Sequence, residues 1–396
     1  MKKRSSHTIL TINGGSSSIK TSVYRSGETP ERILSCRLER IGLSNPVLIF
    51  TDPEDQKKKS EMVIASTMAE AMDALVKWLE ERISFGNLSA IGHRIVHGME
   101  HTNAELISDL LMDELEKIIS YDPDHLPAEI ALISAFRKKF PSLPQVACFD
   151  TSFHQSMPRV AKLLPIPRRF DRQGIRRYGF HGLSFSYLME ELKRIGEPSV
   201  SNGRIILAHL GNGASLAAMR NGTCMDTSMG FTPSAGLMMG TRPGDLDPGI
   251  ASIIMDKESL TTEGYNAFIN HECGLLGVSE TSSDMQDLLK KESEDIRAAE
   301  AVLLFCYQVK KWIGTYTAVL GGLDAMVFSG GIGENSAIVR SRICEGLQFM
   351  GIELSEKENQ SDAQIISTEK SRVKVYVIPT DEELMIAKIV GRVLSI

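Results

Sequence analysis

The alternation of apolar and polar residues predicts two hairpins in well-separated parts of the chain. Residues 8–13 form an apolar run typical of a strand, Asn13 to Gly15 predict a tight turn, and residues 18–25 alternate as the returning strand. Residues 205–210 form a second apolar strand that enters another glycine turn. Each hairpin is followed by segments with helical periodicity.

Apolar residues at helical spacing predict six helices, at 61–83, 109–120, 127–140, 184–195, 295–319 and 382–395. Short apolar runs predict further strands at 146–149, 325–328 and 373–378. A loop rich in proline and arginine is expected from Pro158 to Arg177.

The two predicted hairpins also resemble each other in sequence. Residues 10–19 and 207–216 align with leucine, glycine and serine at matching positions, and Ile19 faces Leu216. Chance similarity between hairpins is one explanation. The other is a duplicated domain in which each copy opens with a phosphate-facing hairpin, so that two copies face each other across a cleft.

Composition and charge narrow the class of protein. A chain of 396 residues is long enough for two or three domains. Its 44 basic and 50 acidic residues give a net charge of −6, so nothing favours nucleic acid or an anionic membrane as partner. The six cysteines are widely spaced, without CxxC or zinc spacing, and no secretion signal or membrane span is recognisable. A cytoplasmic enzyme is therefore expected.

Three polar, glycine-rich turns suggest a phosphate ligand. They are Gly14–Lys20, Gly211–Gly213 and Gly330–Asn335. Glycine lets backbone N–H groups approach a phosphate closely, although any one of these turns alone is equally typical of an ordinary hairpin. Three together favour a nucleotide. The chain has neither a Walker A loop nor a G-x-G-x-x-G fingerprint, which disfavours a Rossmann domain.

Four polar residues stand in apolar or glycine-rich surroundings. Arg94 and Arg242 suit either a buried ion pair or a carboxylate or phosphoryl ligand. Asp150 follows a predicted strand, and His181 lies between an aromatic residue and a glycine, where it is either a structural histidine or a functional one. No G-x-S-x-G elbow supports a serine hydrolase.

Together these motifs resemble the acetate kinase family of short-chain carboxylate kinases, in family order over nearly the whole chain. The matching stretches are Asn13–Lys20, Gly92–Gly98, Phe149–His154, Tyr178–Gly182, His209–Ser215, Gly230–Pro233, Gly236–Arg242, Gly244–Pro248, Gly331–Asn335 and Pro379–Leu384. The resemblance implies an α/β fold of two duplicated ribonuclease-H-like domains, of the actin-like, sugar-kinase and heat-shock ATPase type, around a cleft. The implied domains are residues 1–150 with 384–396, and residues 151–383.

The same resemblance implies a homodimer and a reversible, magnesium-dependent, in-line phosphoryl transfer from ATP to acetate, giving acetyl phosphate; Mn²⁺ is expected to substitute for Mg²⁺. Arg94 and Arg242 resemble the arginines that hold the carboxylate and the transferring phosphoryl group. His181 resembles the histidine that stabilises the transition state. Asp150 resembles an essential carboxylate that acts as a base, orients an arginine or helps to hold the metal.

The remaining implied roles concern binding. Val96, Phe180 and Pro233 resemble the residues that form the family's pocket for the acetate methyl group. Asn13 and Glu382 resemble the residues of its magnesium site. The implied nucleotide-binding residues are Lys20, His209, Leu210, Gly211, Asn212, Gly213, Asp284, Met285, Gln286, Gly331, Ile332, Gly333, Glu334 and Asn335.

The chain departs from the family pattern at several positions. Gln286 stands where an arginine usually borders the adenosine, and Asp124 replaces the usual residue near the acyl pocket, next to His125. Leu183-Ser184-Phe185 replaces Thr-Ser-His, and Asp381 replaces an asparagine. The first two bear on the preference for nucleotide and acyl group.

Alternatives to an acetate kinase follow from the same residues. One methylene in an apolar pocket changes binding by only about 1–3 kcal/mol, so a propionate kinase is the alternative within the class, and a butyrate kinase fits the motifs less well. A non-catalytic ATP-binding module would not need Arg94, Arg242 and His181, which are all present. An acyl-phosphate hydrolase would need water at the acceptor position.

Overall fold

The protein is described from a computed structural model, which covers residues 7–15, 18–42, 45–51, 57–83, 85–196 and 198–396. Ser16 and Ser17 of the first glycine turn lie outside these described residues. The chain divides into two compact units, Met1–Ser152 with Asp381–Ile396, and Phe153–Thr380. The boundaries predicted from sequence, after 150 and 383, differ from this division by a few residues and stay a prediction.

The first unit is built on a mixed sheet. Its strands within the described residues are β1 Thr8–Gly14, β2 Ser18–Arg25, β3 Glu31–Glu39, β4 Val47–Thr51, β5 Lys58–Met62, β6 Leu88–Ile95, β7 Glu105–Leu106 and β8 Gln145–Phe149. Their order is β5-β4-β3-β2-β1-β6-β8-β7. Strands β1, β6 and β8 run parallel, whereas β2 to β5 form an antiparallel meander on β1.

The helices of this unit are Met68–Glu80, Asp109–Lys117, Leu126–Lys139 and Glu382–Leu394, with 3-10 segments at Phe85–Asn87 and Ile119–Tyr121; a third 3-10 segment, Asp150–Ser156, crosses the boundary at Ser152. The predicted helix at 61–83 is too long at its start. Residues Lys58–Met62 pair with β4, and the hydroxyl of Thr67 accepts a hydrogen bond from the Glu70 amide, which caps the helix there. The apolar faces of the helices cover the sheet, with Leu75, Leu132 and Phe136 in the core.

The second unit repeats the central strand order of the first. Its strands are β9 Arg204–Leu210, β10 Ala214–Arg220, β11 Thr223–Thr227, β12 Ala325–Ser329 and β13 Lys374–Val377, in the order β11-β10-β9-β12-β13. The first unit arranges β3-β2-β1-β6-β8 with the same directions. The sequence repeat therefore occupies the equivalent hairpin in each sheet, which favours duplication over chance.

The helices of the second unit are Arg159–Lys162, Arg168–Asp171, Gly182–Ile195, Pro198–Ser201, Ile250–Lys257, Thr262–His271, Gly274–Ser279, Met285–Lys291, Ile296–Leu320, Gly330–Asn335, Ala337–Cys344 and Glu356–Gln360, with a 3-10 segment at Gln348–Met350. Two expectations are corrected. The loop expected at 158–177 contains two short helices, and the glycine turn after β12 is a short helix, which Gly330 enters at φ 76°. The long helix ends as predicted, at Gly321 with φ 73°.

Within the part of the chain that the structure describes, no helix combines the length and apolarity needed to cross a bilayer.

Candidate active-site residues

Three of the predicted residues of the first unit lie at one edge of its sheet. Asn13 is near the end of β1, Arg94 near the end of β6, and Asp150 directly follows β8. Because these strands are parallel neighbours, their carboxyl ends meet at the same edge, where α/β sheets usually bind ligands. The fold thus brings together side chains that are far apart in sequence.

Arg94 and Asp150 form a buried ion pair. Nε and Nη2 of Arg94 donate to Oδ2 of Asp150 at 3.1 and 2.7 Å, and the Asp150 side chain is fully buried. Burial alone would lower the pKa of Arg94, but the carboxylates of Asp150 and Glu382 outweigh it and raise that pKa. The third nitrogen, Nη1, donates to Oδ1 of Asn13 at 3.3 Å. The guanidinium is therefore charged and fixed in orientation.

The side-chain amide nitrogen of Asn13 contacts two carboxylates. Its Nδ2 donates to Oε2 of Glu382 at 2.8 Å and to Oε1 of Glu383 at 3.1 Å, at the start of the last helix. Lys20 pairs with Asn13 across the hairpin. Burial raises the pKa of Glu383, and the nearby charge of Lys20 opposes that rise.

The side-chain oxygens of Asn13 and Glu382 provide part of a set of ligands suited to a magnesium ion. Amide and carboxylate oxygens are hard ligands, as Mg²⁺ requires. Among the described residues, no cluster of three or more histidine, cysteine, aspartate or glutamate side chains is arranged to hold a metal. The donor set at Asn13 and Glu382 therefore fits an ion that takes its other ligands from water and substrate phosphates.

Val96, just beyond the end of β6, is held by a residue that the sequence analysis missed. Its N–H has no strand partner and donates to both carboxyl oxygens of Glu129 at 3.2 Å. Glu129 is buried on the helix Leu126–Lys139, and burial raises its pKa well above the usual range. The signal available in the sequence was a lone acid on the apolar face of a predicted helix.

In the second unit, Arg242 and His181 converge on the backbone of Gly213. A methyl group built on Gly213 would lie 2.9 Å from Nη2 of Arg242 and 3.2 Å from Nε2 of His181. Nη1 of Arg242 donates to the carbonyl of Pro233 at 2.7 Å. Four residues predicted for three different roles are therefore neighbours, and a side chain at position 213 would displace Arg242 or His181.

His181 has an unusual backbone conformation. It precedes the helix Gly182–Ile195 at φ 57° and ψ 25°, a left-handed region that few residues other than glycine adopt. Its Nδ1 lies 2.8 Å from the hydroxyl of Ser215, and its ring lies 4.3 Å from that of His209. Nδ1 of His209 lies 2.8 Å from the hydroxyl of Ser184. Both imidazoles are thus held by hydroxyl groups, which the sequence analysis did not identify.

Two predicted nucleotide segments follow neighbouring parallel strands. Strand β9 ends at Leu210 and β12 at Ser329, and Ser329 is in register with His209. The Gly211 amide donates to the Gly213 carbonyl at 3.0 Å, so Asn212 lies at the tip of a closed turn.

The segment Gly331–Asn335 is stabilised from two sides. Glu334 Oε1 accepts from the Gly330 amide at 2.8 Å, and Nδ2 of Asn335 donates to the Gly331 carbonyl at 2.9 Å. Arg340 is fully buried, and its Nη1 donates to the carbonyls of Gly333 and Glu334 at 2.8 and 2.9 Å. Ile332 lies between these anchored positions.

The segment Asp284–Gln286 begins a helix. The Asp284 carboxylate caps it by accepting from the Gln286 amide at 2.7 Å, Met285 is buried, and the Gln286 side chain is exposed. A methyl group on Gly240 would lie 3.2 Å from the Ser283 carbonyl and against the Asn212 side chain. The three nucleotide segments are thus linked within the second unit.

Comparison with known proteins gives a consistent assignment. The family model for the acetokinase family matches residues 8–388. The chain is 43% identical to an acetate kinase of Bacillus cereus over 394 residues, which is 97% of this chain and 98% of that protein.

Two solved structures of kinases that act on short-chain carboxylates are also similar to this chain. The crystal structure of Porphyromonas gingivalis acetate kinase matches with a TM-score of 0.86 and 36% identity, over 98% of this chain and all of that one. A propionate kinase structure from Francisella tularensis matches with a TM-score of 0.88 and 34% identity, over 97% and 98% of the two chains. These matches confirm the predicted α/β class with two ribonuclease-H-like domains. The chain belongs to the acetokinase family.

Proposed function

We propose that the residues described above carry out the reaction of this family. The protein is an enzyme that transfers a phosphoryl group from ATP to acetate and forms acetyl phosphate. The observation that supports the residue roles best is the convergence of Arg242 and His181 on the backbone of Gly213. A cation, an imidazole and an open glycine backbone together suit a phosphoryl group that is being transferred.

The reaction does not require a strong general base, because an ionised carboxylate is already a nucleophile. Catalysis then depends on alignment and on neutralising charge at the transferring phosphoryl group. Arg242 supplies a fixed positive charge and His181 a hydrogen bond to that group. Arg94 holds the acetate carboxylate, and we assign Asp150 the role of orienting Arg94, since Oδ2 accepts two of its hydrogen bonds.

We assign nucleotide binding to Lys20 and to the glycine-rich segments. The turn Gly211–Gly213, following His209 and Leu210, presents amides to the phosphates, and Gly331–Asn335 with Asp284–Gln286 receives the adenosine. Gln286 offers an amide where the family pattern has a cation, so it hydrogen-bonds without adding charge.

The acyl pocket is assigned to Val96, Phe180 and Pro233. Each of the three is a buried apolar residue in its own unit, of a kind that suits a methyl group. Propionate is the alternative acceptor, since one added methylene changes binding little and one structural relative is a propionate kinase.

Hydroxylamine trapping of the acyl phosphate tests this assignment. With ATP and Mg²⁺, we expect acyl hydroxamate from acetate, less from propionate and least from butyrate. The ratio of kcat/KM values identifies the preferred acid, and a reaction without acid measures hydrolysis of ATP. ATP binding with no hydroxamate from any acid would contradict the kinase assignment, and ATP hydrolysis without acid would indicate a hydrolase.

The magnesium assignment predicts a change in metal dependence. The ion, held by Asn13 and Glu382, would neutralise charge on the nucleotide phosphates. Replacing Glu382 by glutamine removes a negative ligand, so we expect the Mg²⁺ concentration for half-maximal rate to rise about tenfold or more. Mn²⁺ should restore part of the rate.

Glu383→Gln is the matched control. Glu383 accepts from the same Asn13 amide group but is not assigned to the magnesium site, so its replacement by glutamine should change the metal requirement little. Direct Mn²⁺ binding, followed by electron paramagnetic resonance, provides a readout separate from activity. Equal metal affinity in the wild type and Glu382→Gln would contradict the assignment.

We also propose a homodimer in the cytoplasm. Exposed apolar side chains on the long helix Ile296–Leu320, including Leu303 and Tyr307, provide surface for a second copy. All six cysteines are free thiols, as expected in a reducing compartment.

A further inference from the structure

We propose that His154 is a positioning residue that fixes His181 by holding the peptide between Phe180 and His181. This inference rests on the role proposed for His181. It concerns a buried side chain outside the predicted site, and it is carried by contacts within the second unit.

The His154 ring is fixed on all sides. It is buried, with 1% of its surface exposed, and Nε2 lies 2.9 Å from the Phe180 carbonyl oxygen. Nδ1 lies 3.3 Å from Sγ of Cys224 on β11. The rings of Phe153 and Phe185 contact it edge-on, with centroids at 5.2 and 5.8 Å.

These contacts select one tautomer. A carbonyl oxygen only accepts hydrogen bonds, so Nε2 carries the proton and donates it to Phe180. Burial lowers the pKa of His154 to about 4, opposed by this hydrogen bond and reinforced by the nearby charge of Arg177. The ring is therefore neutral near pH 7, and its unprotonated Nδ1 faces the Cys224 sulfur, whose single proton lies between Nδ1 and the Asp226 carbonyl. The direction of the bond to Phe180 is thus fixed.

The Phe180 carbonyl lies in a backbone segment with little conformational freedom. Gly179 has φ 78°, and a methyl group there would lie 2.7 Å from Cδ2 of His154, so the chain wraps tightly around the imidazole. His181 follows at φ 57°. A left-handed conformation outside glycine persists only where its surroundings impose it. The hydrogen bond from His154 fixes the peptide plane from which this conformation starts, and so the direction of the His181 ring towards Gly213.

His154→Leu removes the donor at similar volume, and His154→Gln replaces it, because the glutamine amide nitrogen reaches the position of Nε2. A displacement of about 1 Å at a reacting group costs about 10²-fold in rate. We expect kcat of His154→Leu to fall by about 10²-fold, with KM for acetate and for ATP within about threefold of wild type. His154→Gln should recover most of kcat. Similar loss in both variants at equal thermal stability would overturn the proposal.

A double variant shows whether His154 acts through His181. In a His181→Ala background, adding His154→Leu should lower kcat no further, because residues that act as a unit are not additive. A further 10²-fold fall would overturn the proposal. If His181→Ala retains full kcat, the role proposed for His181 is wrong, and this inference with it. If His181→Ala is deficient while His154→Leu is normal, only this inference is wrong.

Discussion

Replacing Arg242 by alanine is expected to lower kcat by about 10³- to 10⁵-fold while the protein stays folded. Arginines that act on a phosphoryl transition state contribute that much in other phosphotransferases. This loss corresponds to about 4–7 kcal/mol of transition-state stabilisation, since each tenfold change is about 1.4 kcal/mol. The hydrogen bond from the charged guanidinium to the Pro233 carbonyl contributes about 1.5–3 kcal/mol to stability, which is smaller. Activity should therefore be lost and the fold retained.

The hydroxamate assay measures the rate, and thermal unfolding measures stability. Arg242→Lys is the matched variant: it keeps the charge but loses the planar fork that reaches Pro233 and the phosphoryl group together. We expect it to recover only a small part of the rate. Near-normal turnover in Arg242→Ala would remove Arg242 from the mechanism.

Local patterns predicted the strands that position the site. The apolar runs at 8–13 and 205–210 correspond to β1 and β9, and the run at 146–149 corresponds to β8 before Asp150. The first turn was predicted too early, because Asn13 and Gly14 pair with β2. Residue roles came instead from the resemblance in motifs, because a single arginine or histidine has the same sequence signature in a structural and in a catalytic setting.

The two errors in the predicted elements have different causes. Met62 and Ala65 fit a helical period, but residues Lys58–Met62 pair with the neighbouring strand instead, and Thr67 provides the helix cap. Glycines after β12 were expected to form a turn, but Gly330 adopts positive φ and the Glu334 carboxylate closes a short helix. The pairing with β4 depends on another strand, whereas the Glu334 contact is local but is not distinguished from a turn by the glycine pattern alone.

Two buried polar residues were missed because their partners are distant in sequence. Glu129 lies on a predicted helix, and His154 lies in a motif that carried the resemblance, yet neither was assigned a role. Each is explained by a hydrogen bond to a buried backbone group of a segment distant in sequence, the Val96 amide for Glu129 and the Phe180 carbonyl for His154. Only the folded chain shows these groups.

The sequence allowed two interpretations of Arg94, a buried ion pair and a ligand-binding cation, and both apply. The ion pair with Asp150 is present, and the residue is also proposed to bind acetate. Stability and activity then depend on different properties of the same residue. Stability requires that the charge of Asp150 be compensated, whereas activity requires a cation at position 94.

Replacing Arg94 by methionine separates these properties. The variant leaves Asp150 charged and buried, which should lower the free energy of unfolding of the first unit by about 3–5 kcal/mol and abolish acetate phosphorylation. Adding Asp150→Asn removes the uncompensated charge. The double variant should regain most of the stability, because replacing both partners of a buried pair is often nearly neutral, but none of the activity.

Tryptophan fluorescence can follow the first unit alone. The two tryptophans are Trp78, which is buried in the core of the first unit, and Trp312, which belongs to the second. In a Trp312→Phe background, urea unfolding monitored at Trp78 reports the stability of the unit that contains Arg94. If the double variant is as unstable as Arg94→Met, packing of the arginine rather than charge compensation stabilises this edge of the sheet. If it regains stability and also phosphorylates acetate, Arg94 is a structural partner of Asp150 and another cation holds the substrate.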